Sequence, residues 1–69
     1  MRYFFHVDGP RPHEDTTGIL LSDDSAAWDE ALRTVHGIED DLKPDEEWQL
    51  EVAEDGRSVF LLTVSSRRI

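Results

Sequence analysis

Arg2-Tyr3-Phe4-Phe5-His6-Val7 places three aromatic rings and a valine within six residues of a chain that is otherwise acidic and polar. Side chains alternate along a strand, so Tyr3, Phe5 and Val7 share one side of it and Phe4 and His6 the other. Aromatic rings bury large areas, and a strand with aromatic surface on both sides is expected in the middle of a sheet. The rest of the chain reads as the material that covers it.

Asp8-Gly9-Pro10-Arg11-Pro12 ends this strand, because it joins a turn dipeptide to two prolines that cannot donate ladder hydrogen bonds. The short apolar run Gly18-Ile19-Leu20-Leu21 reads as a second strand, antiparallel to the first and at an edge. Ser22-Asp23-Asp24-Ser25 then supplies capping side chains and negative charge suited to a helix amino terminus. Ala27, Trp28, Ala31, Val35, Ile38 and Leu42 come next at spacings of three and four, one apolar stripe. Two arguments compete over where the helix stops. Gly37 and the anions Glu39-Asp40-Asp41 favour an end at His36, whereas Ile38 and Leu42 stay on the apolar stripe if it continues. Continuation to about Leu42 is expected, with Gly37 on the exposed side.

Lys43-Pro44-Asp45-Glu46 is a connector. Trp48, Leu50 and Val52 alternate with Gln49 and Glu51 in a third strand with one buried and one wet side. Asp55-Gly56 is the pair of a tight hairpin, and Ser58 to Ser65 returns as a fourth strand that is apolar at nearly every position. The basic end Ser66-Arg67-Arg68-Ile69 is expected to fray.

The pattern is a single α+β domain over residues 1–69: strand-strand-helix-strand-strand, a four-stranded, mainly antiparallel sheet with one helix on one face. Placing the two strands with apolar residues on both sides at the centre gives a preferred order of 2-1-4-3. One helix covers only one face. The other face would keep Phe4, His6 and one set from the fourth strand, either Phe60, Leu62 and Val64 or Val59, Leu61 and Thr63. Phe4, His6, Phe60 and Leu62 are therefore the candidate contact residues. An apolar patch of that size on so small a chain marks an interface, so a homodimer is expected, through the open face or through an edge strand.

Sixty-nine residues are near the lower limit for a single core, and without cysteine no disulfide can reinforce it. The absence of cysteine fits a reducing, cytoplasmic setting, and no signal-peptide pattern or membrane span is present in the sequence. Sixteen acidic against seven basic residues give a formal charge of −9, which repels nucleic-acid phosphates and anionic membranes. A basic or apolar protein is the kind of partner that remains.

The opening Arg2-Tyr3-Phe4-Phe5-His6-Val7 with Asp8-Gly9, the Gly18-Ile19 and Leu21-x-Asp23 approach to an alanine-bearing helix, and Leu50-Glu51-Val52-Ala53 with Asp55-Gly56-Arg57 carry a resemblance. Together they resemble a family of short bacterial proteins, frequent in alphaproteobacteria, known as domain of unknown function 6894. The resemblance covers most of the chain, and the aromatic opening is its most specific part. The chain departs from the family pattern at Asp24, where the family tends to have an apolar residue, and at Gly37. The resemblance implies an architecture and a bacterial origin, and it carries over no catalytic residue or cofactor.

His6 with Asp8, and His13 with Glu14 and Asp15, are the residues that could hold zinc or another divalent ion, but their spacing matches no established ligand motif. No serine lies beside a base in sequence, no glycine-rich phosphate loop is present, and one helix on one sheet offers no evident cleft for paired carboxylates. Aromatics on an open sheet stack single-stranded bases in some domains, but those domains add basic surroundings, and dimer packing accounts better for Phe4. The runs Asp23-Asp24, Glu39-Asp40-Asp41 and Asp45-Glu46-Glu47 would suit a mimic of a phosphate backbone that occupies a basic nucleic-acid-binding partner. The leading expectation is a non-enzymatic interaction or regulatory module acting as a homodimer, without cofactor. The alternative is a ligand- or metal-binding protein using His6, Asp8 and His13.

Overall fold

The computed structural model describes residues 1–69. Its elements run in the order β1 (Arg2–Asp8), β2 (Ile19–Leu20), α1 (Asp24–Asp41), β3 (Glu47–Glu54) and β4 (Arg57–Ser65). The strands form one antiparallel open sheet in the order β2-β1-β3-β4. The sheet order therefore corrects the expected 2-1-4-3: β3 lies beside β1, and β4 is at the edge.

Chain reach explains the order. Tyr3, at the start of β1, touches Asp24 at the start of α1, so the helix begins at that end of the sheet and runs toward the other. Its 18 residues span about 27 Å, similar to a strand of eight residues. Residues 42–46 extend over at most about 18 Å, too little to return to the starting end. Thus β3 must start where the helix ends and run back, antiparallel to β1. After the hairpin, β4 runs in the same direction as β1 and cannot be its antiparallel neighbour. The alternation in β3 marks one of its sides as wet, which a central strand tolerates.

The core forms from alternate residues. Tyr3 and Phe5 of β1, Leu50 and Val52 of β3, and Ala27, Ala31 and Val35 of α1 make one buried cluster. Cross-strand partners share a side of the sheet, so the pairs Leu50 with Leu62 and Val52 with Phe60 put Phe60 and Leu62 on this core side as well. Trp28, at the flank of the helix stripe, meets Phe60 edge-on, with ring centroids 5.1 Å apart.

Asp23 caps α1, its Oδ1 accepting from the Ala26 N–H at 2.9 Å. The helix passes through Gly37 and ends at Asp41, with Leu42 as its C-cap, and Ile38 is buried. Continuation wins because it buries another apolar side chain, which outweighs the helix penalty of an exposed glycine of about 1 kcal/mol. Asp55 and Gly56 turn the β3–β4 hairpin with φ of 50° and 76°, the left-handed pair that a two-residue turn demands. At the carboxyl end, the Ser66 N–H donates to Glu46 and the Arg68 N–H to Asp45, so the tail is tied further along than expected.

Candidate functional site

On the side of the sheet away from the core cluster, register places side chains in rows across three strands. Phe4 faces Ala53 and then Ser58; His6 faces Glu51 and then Leu61; Asp8 faces Gln49 and then Thr63. The Phe4 and His6 rings stack along β1, 6.4 Å apart and within 4° of parallel. Next to them Ser58 Oγ donates to Glu51 Oε2 at 2.5 Å, and Leu61 is 65% exposed.

Of the four candidate contact residues, Phe4 and His6 lie on this side and Phe60 and Leu62 do not. The cause is a β-bulge, a register shift at Val52/Ala53 that leaves Val59 as the extra residue between Ser58 and Phe60. One added residue moves every later side chain to the opposite side. Leu61 and Thr63 thus join Phe4 and His6, while Phe60, Leu62 and Val64 pack against the core.

The loop between β1 and β2 forms the rim. His13 and Val7 exchange two backbone hydrogen bonds of 2.8 Å. Asp15 then reaches back under the loop: one carboxylate oxygen accepts from the amides of Gly18 at 2.9 Å and Thr17 at 3.1 Å, the other from Phe5 at 3.2 Å. The amides of Gly18, Phe5 and Thr17 hold its carboxyl below the ordinary aspartate value. Gly18 adopts φ of 76°, and a Cβ there would meet the Arg2 side chain at 2.8 Å and the Phe4 ring at 3.0 Å, so this turn admits no side chain. Sequence reasoning places Asp15 only among possible metal neighbours and misses this role. The Asp15-Thr16-Thr17-Gly18 run is the turn signal that identifies it as an acceptor for backbone amides.

The loop and the sheet enclose a shallow depression of about 800 Å³, whose lining includes His6, Asp8, His13, Glu14, Glu51 and Leu61. The structure therefore gathers His6, Asp8 and His13 around one hollow. No group of three or more histidine or acidic side chains is placed to hold a metal ion. The His6 Nδ1 is buried and has no hydrogen-bond partner.

A family model described as a domain of unknown function, DUF6894, matches residues 2–65. The chain belongs to the DUF6894 family. No curated protein and no solved structure matches it. The aromatic opening that carries the family resemblance is β1, which supplies Tyr3 and Phe5 to the core and Phe4 and His6 to the opposite side. Asp24 opens α1 and accepts a hydrogen bond from Tyr3. No helix is long and apolar enough to cross a membrane.

Proposed function

We propose that this chain is a non-enzymatic protein-interaction module that works as a homodimer, with α1 covering the core side of the sheet and the opposite side serving as a contact surface. The observation that carries the reading is the row of stacked Phe4 and His6 with the exposed Leu61 on the side away from the core. Apolar and aromatic side chains grouped outside a core are costly in water and are retained where a partner covers them. The acidic side chains Asp8, Glu14 and Glu51 around the same surface favour a basic partner. Light scattering and melting curves over a range of concentrations test the dimer: a mass of two chains and a melting temperature that rises with concentration support it. A monomer at high concentration sinks it.

The hollow that holds His6, Asp8 and His13 favours a second reading, in which the same surface takes a small ligand or divalent cation. Adding zinc, nickel or manganese should then raise the melting temperature, and no shift with any of the three dismisses the metal version of that reading.

A further inference from the structure

We propose that a second copy of this chain docks along the outer edge of β4, the two β4 strands pairing antiparallel about a two-fold axis to make one continuous eight-stranded sheet from two four-stranded ones. The pairing rests on the homodimer reading but places the contact between copies at the β4 edge, leaving the Phe4 and His6 side free for a further partner.

The two edges of the sheet differ. Beyond β1, the chain itself closes the edge from end to end: Met1 exchanges hydrogen bonds with Leu21, Tyr3 pairs with Ile19, the Phe5 N–H donates to Asp15, and Val7 pairs with His13. Beyond β4 no strand pairs at all. The Ser66 N–H donates to the Glu46 carbonyl, and the register from Glu47 with Ser65 to Val52 with Phe60 is unbroken. In an antiparallel ladder this directs the amides of Phe60, Leu62 and Val64 toward β3 and those of Leu61, Thr63 and Ser65 outward. Native edges are usually blunted by lysine, proline, inward charges or short length. At nine residues, about 30 Å, β4 is the longest strand of the sheet and contains no proline, no lysine and no acid. Its bulge sits at the hairpin end and leaves Phe60 to Ser65 regular.

Charge selects the occupant and its direction. Two chains of charge −9 repel, and they approach best where acids are absent. From Arg57 to Ile69 there are three arginines and no acidic residue. Antiparallel pairing brings Arg67 and Arg68 at the end of one β4 beside the hairpin of the other, where Asp55 is exposed and Glu54 already neutralises Arg57. Parallel pairing would set the arginines against each other. The self-complementary arrangement is isologous, so it closes as a dimer and leaves no free edge for growth. It also leaves Phe4 and His6 of both copies uncovered on one extended surface.

The test combines light scattering with amide exchange followed by NMR on the full chain. The wild type is expected to be a dimer in which the outward amides of Leu61, Thr63 and Ser65 exchange about tenfold or more slowly than on dilution to monomer. Thr63→Pro, which deletes one outward N–H, is expected to be monomeric. The exposed pair Arg67→Glu/Arg68→Glu is expected to raise the dimer Kd about tenfold at low salt with the fold intact. If the proline variant does not fold, amide exchange and the arginine pair decide. A dimer whose outward β4 amides are unprotected, or that separates on Phe4→Ser but not on Thr63→Pro, overturns the β4 edge and keeps the homodimer. A wild type that is monomeric even when concentrated overturns both, and protection that needs a different bound protein assigns the edge to that partner instead.

Discussion

The Tyr3 hydroxyl donates a 2.6 Å hydrogen bond to Asp24 Oδ1, joining the first strand of the sheet to the first turn of the helix. Arg57 stands 3.8 Å from the same carboxylate oxygen and donates to Glu54 at 2.6 Å, so four elements meet at one end of the molecule. Glu54 holds the Arg57 guanidinium more firmly in its charged form than usual. The Tyr3 ring is fully buried, and this polar corner is where its hydroxyl emerges.

The hydrogen bond to Asp24, followed by burial and the negative charge of Asp24, pushes the Tyr3 phenol from 10.0 up to about 12. The folded state therefore favours the protonated phenol. Its contribution to stability is fully present below about pH 10 and is lost as pH rises through about 12. Titration of tyrosinate absorbance reports Tyr3 alone, since it is the one tyrosine in the chain. Replacing Asp24 by asparagine is expected to bring the midpoint back toward 10.0, because a neutral acceptor stabilises the protonated phenol less. An unchanged midpoint would assign the shift to burial.

Asp15 gives the opposite pH dependence. Its carboxyl is held below its ordinary value of 3.8, so its contribution is present above that pH and disappears as the group protonates at lower pH. Asp15→Ala removes the acceptor for three amides, including the Phe5 N–H that no strand meets, and is expected to cost about 1–3 kcal/mol. Asp15→Asn keeps one acceptor oxygen and should lose less. Urea unfolding at neutral pH measures both losses. Near pH 3 the gap between wild type and Asp15→Asn should narrow, which is the signature of the lost charge.

Much of this architecture is legible in the residues. Alternation in Arg2–Val7 and Trp48–Val52, the Ala27, Ala31, Val35 stripe and the Asp55-Gly56 pair are local signals, and each decides its own element. Two features lie beyond local pattern. The sheet order depends on how far residues 42–46 can reach, a property of connection and direction that β4's apolar composition masks. The side taken by Phe60 and Leu62 depends on one bulge residue, Val59, and in a run as apolar as Val59 to Leu62 no polar partner reveals the slip. The depression that gathers His6, Asp8 and His13 is partly legible from the two histidines, but Glu51 and Leu61 enter it only through the strand order.

Gly37 lies within α1 on its exposed side, with ordinary helical φ, and a Cβ built there meets nothing within 4 Å. Alanine at that position restricts the unfolded chain without disturbing the folded one. Gly37→Ala is expected to stabilise the protein by about 1 kcal/mol, or roughly 4–8 °C in melting temperature for a domain of this size. Calorimetry checks it directly. A neutral or negative result would mean that the helix end already frays at Gly37.

The last turn of α1 carries Glu39, Asp40 and Asp41 and no basic residue, so three carboxylates face the negative end of the helix dipole. Asp40 is exposed, and its replacement by lysine converts an unfavourable charge into a favourable one beside the terminal carbonyls. Asp40→Lys is expected to add about 0.3–1 kcal/mol at low ionic strength. The same substitution also relieves the general repulsion of a chain at −9, which would stabilise the fold from any position. Glu14→Lys separates the two effects, because Glu14 is exposed on the β1–β2 loop, outside the helix, and changes the net charge equally. Urea unfolding of both variants, at low salt and at about 1 M salt where the screening length falls to about 3 Å, makes the comparison. A larger gain for Asp40→Lys at low salt that fades at high salt identifies the dipole, and equal gains for the two variants would assign the whole effect to net charge.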